Sequence, residues 1–203
     1  MIELYFGPTA NGQRAAVILE ESGLPFQRHP VDLAKGEHLT PDFLALNPVG
    51  MTPVLVDNEG PGGKHIVIPQ SVAIMHYVAE KAGRFIPGDA YRRAQMHSWL
   101  MFVATDIAMT SGTLFQLTLV GSEPSPPHVG HFEKRLGRFF AACDRQLAGH
   151  EYLVDELSIA DFALYPNVAA RKVLVDRYGP MPNLAAWSER MGARPGVVRG
   201  MKP

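Results

Sequence analysis

The first part of the chain alternates short apolar runs typical of strands with stretches in which apolar residues recur at helical spacing. Residues of strand type fill the runs Ile2–Phe6, Phe26–Val31, Pro53–Asp57 and His65–Pro69. Helical patterns occupy Ala15–Glu21, Pro41–Leu46 and the segment from Ser71 to Gly83. Because a helix separates the first two strands, these strands are expected to be parallel. The pattern predicts an α/β unit of order β-α-β-α-β-β-α.

Beyond residue 90 the pattern is helical throughout. Pro87–Asp89 interrupts the helical pattern, which predicts a linker at 84–90. This linker would separate a first domain at 1–83 from an all-α domain at 91–203. The helices expected in this second domain cover Tyr91–Val120, His128–Leu147, the segment from Ser158 to about Tyr178, and Leu184–Met191. Ser158 followed by Asp161 has the spacing of a capping box, which marks the start of the third of these helices.

The stretch Asn47–Leu55 has features of a ligand-binding edge. Pro53 has no N–H to give to a central ladder, which predicts that Pro53–Asp57 is an edge strand. Gln70 and Ser71 follow the next strand and open a helix, where Ser71 suits the N-cap position. The free backbone N–H groups above such a cap can bind an anion.

The overall composition argues against several kinds of partner. The 203 residues are 46% apolar and carry a net charge of −1, so no field attracts nucleic acid or an anionic membrane. The single cysteine, Cys143, cannot form an internal disulfide, and His128 and His131 give no convincing metal spacing. The strand-like N-terminal residues show no leader pattern, and no apolar run reaches about 18 residues. We therefore expect a cytoplasmic protein without a metal.

Three motifs in order resemble the cytosolic glutathione transferase family over essentially the whole chain. They are Asn-Pro-x-Gly-x-x-Pro-x-Leu at 47–55, Gln-Ser at 70–71 and Ser-Ile-Ala-Asp at 158–161. The resemblance implies a thioredoxin-like first domain, an all-α second domain, a homodimer, and glutathione as co-substrate. The loop Thr9-Ala10-Asn11-Gly12 is similar to that of a bacterial group, called Nu-like, whose members reduce disulfides.

The resemblance also implies where glutathione binds. In the family the bond before Pro53 is cis, and the backbone of Thr52 pairs with the cysteinyl part of the tripeptide as an added strand. Gln70 and Ser71 match the pair that holds the γ-glutamyl end, where a helix N-terminus suits a carboxylate.

Three further residues match positions that contact glutathione in relatives. His38 and Met51 lie where the glycyl end binds, although Met51 lacks the charge or amide often found there. Asp106 corresponds to an acid that reaches the γ-glutamyl amine bound by the neighbouring subunit. Gln70 replaces a glutamate of many bacterial members, so one ion pair to the ligand is lost.

The chemistry of the family needs a glutathione thiolate. A free thiol has a pKa of about 8.5, and lowering it by about two units takes roughly 2.7 kcal/mol, which a hydrogen bond and a helix N-terminus can supply. Alanine stands where the cysteine-bearing bacterial class keeps its cysteine. We therefore hypothesise that Asn11, assisted by Thr9, orients the sulfur, with Tyr5 as the reserve candidate.

Two functions remain open at this point. The first is a glutathione transferase or glutathione-dependent disulfide reductase that acts on a small electrophile or disulfide. The second is a non-catalytic relative that binds a protein or sequesters ligands, since a fold does not determine function. The joint presence of Thr9, Asn11, Gln70 and Ser71 favours the enzyme. Met51 and Gln70 are both less charged than the residues found there in relatives, which keeps the alternative open.

Overall fold

The first unit of the protein is built around one mixed sheet. A computed structural model describes residues 1–120 and 125–202. Its strands are β1 (Ile2–Phe6), β2 (Phe26–Pro30), β3 (Val54–Asp57) and β4 (Ile66–Pro69). Their order in the sheet is β2-β1-β3-β4; β1 and β2 are parallel, and β3 is antiparallel to both β1 and β4. The predicted order of elements and the parallel crossover are confirmed.

Helices cover both faces of this sheet. They are α1 (Ala10–Ser22), α2 (Pro41–Leu46) and α3 (Ser71–Ala82). The α1 and α3 helices pack against each other and against the strands, and completely bury Leu4, Ile18 and Ile74. A separate apolar cluster contains Val31, Phe43 and Val54, with Tyr5 packed against it. Each face thus has its own core, as the alternation of buried positions along β1 requires.

The prediction of an edge strand at Pro53–Asp57 is wrong, because β3 is an interior strand. Its residues pair with β1 on one side and with β4 on the other. Pro53 stands one residue before the first paired position, Val54, so the ladder does not need the N–H that proline lacks. The edge strands of the sheet are β2 and β4.

The chain divides differently from the predicted 1–83, 84–90 and 91–203. The second unit is Ile86–Gly192, and the segment that begins at Ala193 belongs to the first unit. This segment contains a helix that the sequence did not predict, Pro195–Gly200, which packs on α1. The Glu21 carboxylate anchors it by accepting hydrogen bonds from Arg194 (2.7 Å) and from the N–H of Val197 (3.2 Å).

The second unit is helical, as predicted. Its α-helices are α4 (Ala90–Phe102), α5 (Ala108–Phe115), α6 (Pro126–Gln146), α7 (Ile159–Ala170), α8 (Lys172–Arg177) and α9 (Pro182–Gly192). The final helix of the first unit, Pro195–Gly200, is α10. The capping box at Ser158 and Asp161 is confirmed, whereas the helix predicted to reach Tyr178 is interrupted at Arg171.

The first long helix of this unit contains two π-helical segments. Val103–Ile107 separates α4 from α5, and Gln116–Val120 follows α5. By length and composition alone, the 29-residue run Ala90–Thr118 is long and apolar enough to cross a membrane. One such helix is weak evidence for a membrane span, because a core helix of a soluble protein meets the same test.

Candidate active site

Three chain segments that carry predicted site residues meet at one end of the sheet. Val54 of β3 pairs with Tyr5 of β1 on one side and with Pro69 of β4 on the other. Since β3 runs antiparallel to both neighbours, its start lies beside their ends. The pairs Thr52–Pro53 and Gln70–Ser71 are therefore close together, beside the loop that leads from β1 into α1.

The backbone at Thr52 is available to a ligand. The Thr52–Pro53 bond is cis, which confirms the expectation from the family resemblance. No other residue of the described segments forms a hydrogen bond with the N–H or C=O of Thr52. A donor and an acceptor on one residue can pair with an extended peptide as a strand would.

Ser71 is the first residue of α3 and not its N-cap, so the predicted capping role is wrong. Its hydroxyl oxygen instead accepts a hydrogen bond of 2.9 Å from Nε of Arg14. Gln70 occupies the N-cap position with φ 75° and ψ 113°, and its side chain makes no capping hydrogen bond. The first turn of α3 contains no acidic residue, so the positive end of the helix dipole remains available to a carboxylate.

Thr9 and Asn11 lie at the start of α1. The Thr9 side chain caps the helix by accepting a hydrogen bond of 3.1 Å from the N–H of Gly12. Asn11 is half-buried, and its Oδ1 accepts a hydrogen bond of 2.6 Å from Nη2 of Arg14. A Cβ at Gly12 would overlap the carbonyl oxygen of Gly7, so this position needs glycine for the loop to approach the helix. The first turn of α1 also lacks an acidic residue.

Tyr5, the reserve candidate, points away from α1. Phe6 faces α1, with its Cβ close to Gly12, and consecutive strand residues face opposite sides of a sheet. The Tyr5 hydroxyl donates a hydrogen bond of 3.1 Å to Glu3, and the Tyr5 ring stacks on His29. Burial, together with the Glu3 carboxylate, raises the pKa of Tyr5. We therefore withdraw Tyr5 as a candidate for activating a thiol.

The backbone of His38 lies close to the loop that contains Met51. A Cβ built on Gly50 would lie 3.2 Å from the carbonyl oxygen of His38, so the 3-10 turn Glu37–Leu39 closely approaches the residue before Met51. Met51 is 55% exposed. Nδ1 of His38 is buried and has no hydrogen-bond partner among residues 1–120 and 125–202. The structure thus brings the backbone of His38 close to Gly50, the residue that precedes Met51.

Asp106 belongs to the second unit and lies in the π-helical segment Val103–Ile107. Its carboxylate accepts a hydrogen bond of 2.8 Å from Thr105, and Nη2 of Arg135 is 3.8 Å away. These contacts come from its own chain. The predicted contact with the ligand of a neighbouring subunit stays a prediction.

The sequence reasoning missed Arg14, which links Asn11 to Ser71. An arginine in a helix is usually a solvated residue, but Arg14 precedes Val17 and Ile18 by three and four residues and so lies on the buried face of α1. That spacing is a signal that could have identified it. The sequence placed Asn47 in the motif at 47–55 but did not predict its hydrogen bonds with Met51 and Val49, which hold the loop before Thr52.

The described residues offer neither a metal cluster nor a reactive protein thiol. Within residues 1–120 and 125–202, no group of three or more His, Cys, Asp or Glu side chains is placed to bind a metal ion. Cys143 is buried, and burial raises its pKa to about 12, which keeps it protonated at neutral pH. Any thiolate chemistry at this site therefore depends on a thiol that the ligand brings.

Family comparisons match both halves of the chain. Residues 10–81 match the N-terminal domain of glutathione S-transferases, and residues 125–199 match the C-terminal domain. The disulfide-bond oxidoreductase YfcG of Escherichia coli is 30% identical over 99% of this chain and 94% of its own length. Glutathione S-transferase 3 of Zea mays is 34% identical over 96% of this chain and 90% of its own.

Solved structures agree with these sequence matches. A glutathione transferase from Burkholderia graminis, with two glutathione molecules bound per subunit, has a TM-score of 0.92 and 33% identity, over 98% of this chain and 87% of its own. A glutathione transferase from Pseudomonas putida, with one glutathione disulfide bound per subunit, has a TM-score of 0.90 and 31% identity. The match covers 99% of this chain and 90% of that one. The sheet, the cis Thr52–Pro53 bond and these matches lead to one conclusion: the chain belongs to the glutathione S-transferase family.

Proposed function

We propose that this protein binds glutathione at the end of the sheet where α1 and α3 begin, and uses the thiolate of glutathione to reduce small disulfides or to attack small electrophiles. The observation that carries the proposal is the backbone of Thr52, with which no described residue pairs, at the end of the sheet where Ser71 begins α3. Arg14 links Ser71 to Asn11 by two hydrogen bonds. A peptide donor–acceptor pair and two helix N-termini match the backbone, the carboxylate and the thiolate of the tripeptide.

Each proposed contact follows from the chemistry of its residue. The cysteinyl part pairs with the N–H and C=O of Thr52 as an added strand. The γ-glutamyl carboxylate binds at the start of α3, close to Ser71 and Gln70. The sulfur lies at the start of α1, where Asn11 and Thr9 can donate to it, and the glycyl end extends toward Met51 and His38.

Disulfide reduction in this site uses two glutathione molecules. The first thiolate attacks one sulfur of the substrate, forming a mixed disulfide and releasing one thiolate, which takes up a proton. A second glutathione thiolate attacks the glutathione sulfur of the mixed disulfide and releases the second thiol. The substrate gains two electrons, and the two glutathiones become glutathione disulfide. Cys143 takes no part because it is buried and protonated.

The similarity to YfcG, a named disulfide-bond oxidoreductase, favours reduction over conjugation. In conjugation, the same thiolate would form a bond to an electrophilic carbon and displace a leaving group with its electron pair. A role in detoxification would follow from either reaction.

Calorimetric titration with reduced and oxidised glutathione tests the proposal directly. We expect binding of both forms, followed by turnover of hydroxyethyl disulfide at a rate above that of glutathione alone. A parallel assay with a chlorodinitrobenzene measures conjugation. Binding without turnover of either substrate would support the non-catalytic alternative, and no binding of either form at millimolar concentration would refute the proposed function.

We also propose that the protein is a cytoplasmic homodimer. Large apolar side chains are exposed along the Ala90–Thr118 run: Tyr91, Met101, Met109 and Phe115. Exposed apolar residues on one helix suit a protein contact. The net charge of −1 gives no attraction to nucleic acid or to a membrane surface. Gel filtration with light scattering tests whether the protein is a dimer. Cell fractionation tests whether it is cytoplasmic.

A further inference from the structure

Arg14 is a buried cation that touches two residues of the proposed glutathione site. It is 4% exposed, its Nε donates a hydrogen bond of 2.9 Å to Oγ of Ser71, and its Nη2 donates one of 2.6 Å to Oδ1 of Asn11. Its third nitrogen, Nη1, is buried and has no partner among residues 1–120 and 125–202. Both acceptors are neutral groups, and no carboxylate of the described residues forms an ion pair with it.

These two hydrogen bonds determine which way Asn11 and Ser71 face. A guanidinium donates hydrogen bonds and accepts none. Asn11 must therefore turn its oxygen toward Arg14, which directs its Nδ2 hydrogens elsewhere. Likewise, the Ser71 oxygen accepts from Arg14, which leaves the Ser71 hydroxyl proton to be donated. Both side chains are thereby held as donors, and a thiolate and a carboxylate are acceptors.

The charge of Arg14 is also uncompensated by the described residues. Burying an unpaired cation is costly, because it loses its hydration and gains no opposite charge. Burial lowers the pKa of Arg14 to about 10, so the guanidinium remains charged at neutral pH. An anion bound at the start of α1 or α3 would supply the missing counter-charge, and a low-dielectric surrounding strengthens that attraction.

We propose that Arg14 is a positioning residue that commits Asn11 and Ser71 to donate to the glutathione thiolate and the γ-glutamyl carboxylate, and that it supplies the counter-charge to these anions. This inference rests on the proposed function. It adds a residue that acts through Asn11 and Ser71, beneath the groups that contact the ligand.

The test compares Arg14→Gln and Arg14→Lys with the wild-type protein. The ultraviolet absorbance of bound glutathione, followed against pH, gives the pKa of its thiol, and calorimetry gives its affinity. In Arg14→Gln we expect the thiolate fraction at neutral pH to fall about tenfold and glutathione to bind about tenfold more weakly. Arg14→Lys keeps the charge but cannot reach both acceptors as a planar fork, so intermediate values are expected.

Arg28→Gln is the matched control. Arg28 belongs to the same unit and pairs with Glu20, and it has no contact with Asn11 or Ser71. Its loss should leave the thiol pKa unchanged even if the melting temperature falls. In an Asn11→Ala background, the effect of Arg14→Gln on the thiol pKa should shrink, because part of it is transmitted through the Asn11 amide.

The outcomes separate this inference from the proposed function. Arg14 variants that melt earlier but bind glutathione with the wild-type affinity and thiol pKa would show that Arg14 only stabilises the fold, which overturns the inference alone. If Arg14→Gln does not fold, a wild-type thiol pKa in Arg14→Lys has the same consequence. A wild-type chain that does not bind glutathione would overturn both.

Discussion

The side-chain amide of Asn47 donates a hydrogen bond of 2.7 Å to the backbone carbonyl oxygen of Met51. The Asn47 oxygen also accepts one of 3.2 Å from the N–H of Val49, so one buried side chain spans the whole turn before β3. Met51 is followed by Thr52, whose backbone we propose as the peptide-binding position. The shape of the ligand site therefore depends on a residue that need not contact the ligand.

Asn47→Ala should weaken both the fold and the binding of glutathione. The substitution leaves the carbonyl of Met51 without its partner, and such a loss typically costs about 1–3 kcal/mol of unfolding free energy. We expect the dissociation constant for glutathione to rise about tenfold, because the Thr52 peptide is no longer held. Asn58→Ala, which removes an exposed asparagine from the same unit, is the control. Equal effects of the two substitutions on affinity would contradict the role of Asn47.

Asn11→Ala should reduce kcat/KM by about tenfold to a hundredfold, since a hydrogen bond to a charged group contributes about 1.5–3 kcal/mol. Asn11→Asp should be worse, because it keeps an acceptor for Arg14 but turns a second negative charge toward the thiolate. Steady-state kinetics and the absorbance of bound thiolate provide the measurements. Gln13→Ala, in the same turn of α1, is the control. An unaltered thiol pKa in Asn11→Ala would transfer the role to Thr9 or to the backbone N–H groups of α1.

Gln70→Gly should stabilise the free protein while weakening its affinity for glutathione. Gln70 has a φ of 75°, a backbone conformation that costs a non-glycine residue about 1–3 kcal/mol and costs glycine much less. Gln70→Ala removes the same side-chain contacts but keeps the strained backbone. Chemical denaturation of both variants should therefore show a higher unfolding free energy for Gln70→Gly than for Gln70→Ala. Equal stabilities would argue against strain at this position.

Lys81→Met should destabilise the protein at neutral pH. The Asp57 carboxylate is 1% exposed and accepts hydrogen bonds of 2.6 Å from Lys81 and from Tyr77. Burial alone would raise the pKa of Asp57, but the hydrogen bonds from Lys81 and Tyr77 outweigh it and lower the pKa to about 2. Loss of Lys81 should cost about 1.5–3 kcal/mol, measured by urea denaturation at neutral pH.

The same ion pair predicts a pH dependence with a definite sign. The folded pKa of Asp57 lies below the unfolded value of about 3.9, so its stabilisation is complete above that value and is lost as pH falls toward about 2. In Lys81→Met this part of the acid-induced loss should be smaller. Lys172→Met, which breaks the exposed pair with Asp176, should leave the profile unchanged. An identical acid profile in Lys81→Met and the wild type would count against the assignment.

The local sequence pattern was sufficient to predict those elements that depend only on residues close together in the chain. Strand runs, helix stops at glycine and the Ser158–Asp161 capping box are short-range features, and each lies close to its predicted place. The edge-strand prediction for Pro53–Asp57 is wrong because a missing N–H does not determine where a strand lies in the sheet. Pro53 precedes the first paired residue, Val54, so the ladder does not need its N–H. Likewise, the proline and glycines of Pro195–Gly200 are residues that usually interrupt helices. This segment is helical in the structure, where it packs on α1.

The sequence by itself determined the element order of the first unit, the helical character of the second and the resemblance to the family. Periodicity, helix caps and spaced motifs each depend on residues that are close together in the chain. Only the tertiary structure decided that Tyr5 faces Glu3, that β3 is interior, and that Arg14 joins Asn11 to Ser71. Arg14 and Ser71 are 57 positions apart in the chain, so no local pattern relates them. Their contact exists because α1 and α3 pack side by side on one face of the sheet.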